Sequence, residues 1–100
     1  MVDPAPATMR IDKYLWFVRL AKTRGFAQEV AEARHLRIDG RVIDRAAAPV
    51  RVGNVLTFPL HDRVRVIRVE ALPARRGPAP EARRCYTDLN ENVSQEGASD

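Results

Sequence analysis

The chain has 100 residues, 45% of them apolar, which is enough for one small domain and too little for two. It has no apolar run near the ~20 residues that span a bilayer, no basic-then-apolar leader in Met1-Val2-Asp3-Pro4-Ala5-Pro6-Ala7-Thr8, and a lone Cys85, so a cytoplasmic protein with no membrane association and no disulfide is expected. The net charge of +4 hides an asymmetry: all 17 Lys and Arg lie between Arg10 and Arg84 against eight acids there, so a basic body of +9 carries an acidic tail and suits a polyanionic partner.

Residues 1–8, rich in Pro and Ala, read as a disordered lead-in. Ile11, Tyr14, Leu15, Val18 and Ala21 then recur with helical period. They predict a first helix capped by Thr8 and ending near Ala21 or Lys22. Thr23 caps a second helix over 24–33, with Phe26, Ala27, Val30 and Ala31 facing inward. The link Ala21-Lys22-Thr23-Arg24 is so short that the helices must pack as neighbours at a steep angle. Small Ala27 and Ala31 permit a close approach.

After Arg34-His35 the period changes to two. Leu36-Arg37-Ile38 and Arg41-Val42-Ile43 flank Asp39-Gly40, a pair that favours the type I′ hairpin turn. A loop over 44–50 leads to a strand Val50-Arg51-Val52, a turn at Gly53-Asn54 and a strand Val55-Leu56-Thr57-Phe58. Pro59 stops that strand or marks an edge, and His61-Asp62 sits at the next reversal. Over 64–72 the alternation is imperfect, because Val64 and Val66 oppose Ile67, Val69 and Ala71; a β-bulge near Val66-Ile67 would reconcile them. Arg75-Arg76-Gly77-Pro78-Ala79-Pro80 is a stiff basic linker. A short helix over 81–89 is expected to place Ala82, Cys85, Tyr86 and Leu89 on one side, and 90–100 is an acidic disordered tail. The domain proper therefore covers 9–72, with linker and helix over 73–89.

The candidate binding residues follow from position. On the first helix, Lys13, Trp16 and Leu20 fall opposite the core stripe, with Asp12 and Arg19 nearby. An indole among charges either stacks on RNA or, together with Leu20, covers a second seam beneath the C-terminal strands. Lys22, Thr23 and Arg24 surround the start of the second helix, where free N–H groups favour a phosphate. Gln28 lies one turn further on. Arg34, His35, Arg37 and Arg41 cluster at the helix end and hairpin. The sequence has no glycine-rich phosphate loop, no zinc-spaced Cys/His set and no identifiable acid/base pair. A non-enzymatic binder without metal or cofactor is expected.

These residues resemble the S4 RNA-binding domain. The resemblance rests on Met9-Arg10-Ile11-Asp12-Lys13-Tyr14-Leu15-Trp16-Phe17-Val18-Arg19, Lys22-Thr23-Arg24, Gln28-Glu29, His35-Leu36-Arg37-Ile38-Asp39-Gly40 and Val50-Arg51-Val52-Gly53-Asn54-Val55-Leu56. It implies an α+β fold: an αα-hairpin packed on a small bent, antiparallel-rich sheet, with a short C-terminal helix or tail. It also implies RNA contact through Arg10 and the candidate residues above. The aromatic-rich first helix and Leu72-Pro73-Ala74-Arg75-Arg76-Gly77-Pro78 are similar to a stand-alone bacterial heat-shock branch of the family. That likeness implies association with ribosomal RNA of the large subunit, or with transfer RNA, and rescue of stalled subunits carrying a nascent chain. Three positions depart from the family pattern. Arg34 stands where Gly is usual, Asn54 where Asp is usual, and the C-terminal part is shorter and more acidic. A monomer is expected. The alternative is an assembly factor that meets an acidic protein, or that accompanies an RNA-modifying enzyme.

Overall fold

A computed structural model describes residues 7–90. Most of the expected lead-in (residues 1–6) and tail (residues 91–100) lie outside the described residues. The chain opens with a short strand, β1 (Met9–Arg10), that runs directly into helix α1 (Ile11–Phe17). Thr8 is not the cap: Arg10 holds that position without a side-chain bond. Backbone does the capping instead, since the N–H groups of Ile11 and Asp12 donate to Ala48 O (2.9 Å) and Ala46 O (3.2 Å).

α1 also ends a full turn earlier than its apolar stripe suggests. Arg19 adopts a left-handed backbone (φ 64°). The N–H groups of Leu20 and Ala21 then both turn back to Leu15 O at 3.0 Å. This reversal carries Leu20 into the core, where it is buried, rather than onto the polar face. Helix α2 (Arg24–Glu32) begins as expected, with Thr23 Oγ1 accepting from Phe26 N at 3.0 Å. Ala27 and Ala31 are fully buried between the helices, whereas Phe26 is 39% exposed and contributes little to the core.

A five-stranded antiparallel sheet forms the second layer, in the order β3-β2-β5-β6-β7. Its strands are β2 (Arg37–Ile38), β3 (Arg41–Val42), β5 (Val55–Leu60), β6 (Arg63–Val69) and β7 (Tyr86–Asp88). Asp39 (φ 52°) and Gly40 (φ 86°) form the type I′ turn between β2 and β3. Strand β4 is only Pro49–Val50 and pairs with β1 as a separate two-stranded sheet, Met9 opposite Val50 and Arg10 opposite Pro49. Beyond Val50 the chain turns, so the expected strand through Val52 stops short.

The bulge expected near Val66-Ile67 is absent. β5 and β6 pair in unbroken register from Val55 opposite Arg68 to Leu60 opposite Arg63. Ile67 and Val69 alone point into the core, and Val64 is left 54% exposed on the outer face. Pro59 does not end β5. β2 pairs with β5 only at Leu56 and Thr57, so Pro59 lies where that flank is already open.

The helix expected over 81–89 divides in two. α3 (Ala79–Arg83) is a short helix, after which Tyr86–Asp88 become β7 against β6. β-favouring Tyr86 and Thr87 supply the edge of β6 with hydrogen-bond partners that a helix could not. The core that joins the layers contains Ile11, Tyr14, Leu15, Val18, Leu36, Leu56, Phe58, Ile67 and Val69. Truncation of such a residue, for example Leu15→Ala, costs about 2–5 kcal/mol.

Candidate nucleic-acid interface

Asp12, which the helical wheel places among the exposed charges, has no exposed surface. Its Oδ1 accepts from Arg10 Nε (3.0 Å) and from the Lys13 backbone N–H (2.7 Å). Its Oδ2 accepts from Arg10 Nη2 (3.0 Å), Arg24 Nε (3.3 Å) and Gln28 Nε2 (3.2 Å). Burial pushes this carboxyl's pKa up, but the bonds from Arg10, Gln28, Lys13 and Arg24 outweigh it and hold it below the ordinary value. Asp12 is thus an anion of α1 that cancels one positive charge and, in exchange, fixes two guanidiniums and an amide from β1 and α2 in one array. Arg10 and Arg24 remain 46% and 39% exposed, with donors left over for a ligand. Sequence reasoning missed this role. The available signal was an acid in the first turn, two residues from one arginine and twelve from another at a helix start.

The start of α2 adjoins the array. Thr23 Oγ1 caps Phe26 N, and the N–H groups of Arg24 and Gly25 precede any intrahelical acceptor. Lys22 is exposed on the approach to this turn. At the far end of α2, Arg34 is left-handed (φ 65°) and exposed, as is His35. Arg37 donates from Nη1 to Gly40 O (3.2 Å) across the hairpin, and Arg41 is exposed beside it. The hairpin tip is pinned to the sheet: Asp39 accepts from Val55 N and from Asn54 Nδ2, both at 2.8 Å. Asn54 also accepts from Arg51 N at 2.8 Å. An aspartate at 54 would have no N–H for Asp39 and would face it with a like charge, which gives the asparagine a physical reason.

Trp16 and Arg19 are directed elsewhere. Arg19 Nε donates to Gly77 O (2.6 Å), and Arg76 Nε donates to Trp16 O (3.0 Å). The Arg76 guanidinium lies 5.8 Å from the Trp16 ring centre, and Phe17 is tilted against the same indole at 5.7 Å. The half-buried indole therefore packs against Arg76, in the segment that links β6 to β7. Lys13 is shared between the two regions, its ammonium 5.7 Å from the Phe17 ring. No group of three His, Cys, Asp or Glu side chains among the described residues is placed to hold a metal, and no described helix is long and apolar enough to cross a membrane.

Residues 9–56 match the S4 domain family model. Heat shock protein 15 of Escherichia coli K12 is 30% identical over 95% of this chain and 71% of its own length. The chain belongs to the S4 domain family. The RQC P-site tRNA stabilizing factor of Listeria innocua is 33% identical to this S4 protein over 89% of the chain and 95% of the relative. The solved structure of Vibrio cholerae heat shock protein 15, described as trimeric, superposes with a TM-score of 0.80 at 25% identity, covering 93% of each chain. The monomer expected for this S4 protein draws no support from that neighbour. The α+β architecture does agree with it. Every candidate contact residue, from Arg10 to Arg41, falls inside the matched S4 segment, while β6, α3 and β7 lie beyond it.

Proposed function

We propose that this S4 protein binds structured RNA of the large ribosomal subunit and helps rescue stalled subunits that carry a nascent chain. The observation that carries the reading is the Asp12-ordered array of Arg10, Arg24 and Gln28 beside the open start of α2. Fixed guanidiniums lose less conformational freedom on meeting phosphates than mobile ones. Lys22, Arg34, Arg37 and Arg41 extend the positive surface along α2 and the hairpin, with His35 exposed among them. Its work is binding rather than bond-making: cations neutralise phosphates, and the rigid helix pair selects RNA by shape. The S4 match and the Listeria relative's name, which refers to P-site transfer RNA, support an RNA partner in this setting. Trp16 and Arg19 belong to the packing of the C-terminal segment in this reading, and contribute to RNA contact only through the position of α1.

The test is sedimentation of the tagged full chain with ribosomal subunits, with and without a stalled nascent chain. Co-sedimentation with the occupied large subunit is expected. Equal recovery with small subunits, or none with either, would overturn the proposal.

A further inference from the structure

The β2–β3 hairpin and the loop after it border an open cleft of about 540 Å³, within the ~300–1,000 Å³ range of ordinary ligand pockets. Arg41 of β3, Arg45 of the connecting loop and Arg51 just after β4 line it. All three are exposed. None of their guanidiniums has a hydrogen-bond or ion-pair partner among the described residues, unlike those of Arg10, Arg19, Arg24 and Arg37. Asp39 and Asp44 also line the cleft, but Asp39 is engaged by Asn54 and Val55. Three unengaged cations therefore face one unengaged acid. Val42, 44% exposed, Ile43 and Pro49 provide an apolar wall.

The cleft continues the surface already described. Pro49 lies opposite Arg10 in the β1–β4 pair, and the Asp12 N–H donates to Ala46 in the same loop. We propose that the cleft receives one unpaired nucleotide of the bound RNA, its phosphate held by Arg45 and Arg51 and its base against Val42 and Pro49 beside the Arg41 guanidinium. Paired bases are stacked inside a helix and cannot enter a concave site, whereas a bulged base can swing out and lie on apolar and guanidinium surfaces. Guanidiniums without internal partners are free to form bidentate phosphate bonds. This inference rests on the RNA-binding reading and adds the class of RNA feature that is selected.

The experiment compares two RNA hairpins, identical except that one carries a single bulged 2-aminopurine. Affinity and fluorescence are measured for the wild-type chain, R45A/R51A and V42E, with circular dichroism to confirm folding. The wild type is expected to prefer the bulged RNA and to change its fluorescence. Both variants should lose that preference, with affinity for the bulged RNA falling roughly tenfold in R45A/R51A. Equal weakening on both RNAs would reduce the cleft to a patch of charge and overturn the proposal. Wild-type binding to both RNAs that R45A/R51A leaves unchanged would overturn it while the RNA-binding reading stands. Failure of the wild type to bind either RNA would bring down both.

Discussion

At the scale of single residues, Asp12 is the position where local pattern and three-dimensional role diverge most. Its wheel position beside Lys13 and Trp16 suggests a solvated acid, yet its burial depends on Ala46 and α2, which no window around residue 12 contains. Asp12→Asn should destabilise the fold by roughly 1.5–3 kcal/mol, the range for hydrogen bonds to a charged group, tempered by the exposure of Arg10 and Arg24. Urea denaturation would measure it. Because the folded pKa lies below the ordinary 3.8, the unfolded chain binds the proton more readily in that interval. The carboxylate's contribution is therefore complete above the unfolded value and lost as pH falls through the folded one. The stability gap between wild type and Asp12→Asn should accordingly close as the solution is acidified below about pH 4. Arg34 makes the opposite case. It holds φ 65° just past the end of α2, a conformation that glycine adopts without a Cβ penalty. Arg34→Gly should raise stability by about 1 kcal/mol, seen as a higher denaturation midpoint with an unchanged slope.

At the scale of elements, signals confined to a few neighbouring residues were readable. The Thr23 cap, the Asp39-Gly40 turn and the His61-Asp62 reversal all appear where the sequence places them. What could not be read depends on distant partners. α1 stops at Phe17 because Leu20 is drawn into the core, and 86–88 extend because β6 offers an open edge. A bulge would bury every apolar residue of β6, whereas the regular ladder leaves Val64 outside. Among site residues, the two readings of Trp16 differ in a measurable way. It is the sole tryptophan, and Arg76 covers it. Arg76→Ala should red-shift its emission and increase acrylamide quenching, with RNA affinity reduced by no more than the loss of one exposed charge. A large loss of affinity with unchanged emission would return the indole to the RNA-binding surface.

At the scale of the whole molecule, the basic body sets how binding responds to salt. If five or six phosphates are neutralised, the logarithm of affinity should fall against that of salt concentration with a slope near −4. Lys22 has no ion-pair partner among the described residues. Lys22→Ala should make the slope shallower by about one while leaving the melting temperature unchanged. Fluorescence titration across a salt series would show it, and a slope near zero in the wild type would remove the electrostatic mechanism.

The Tyr14 hydroxyl, buried in the core, donates to Cys85 O at 2.8 Å across 71 positions of chain. Burial, with the neighbouring Cys85, Tyr86 and Glu70, drives this phenol's pKa far up, so it remains a neutral donor. That bond imposes a schedule on synthesis. At about 5–20 residues per second, roughly 4–14 s separate the translation of the donor from that of its acceptor, before the ribosomal tunnel adds its own delay. Throughout that interval the helices lack the strand that pairs with the edge of β6. The protein reaches its native form only after the chain through Cys85 has been made.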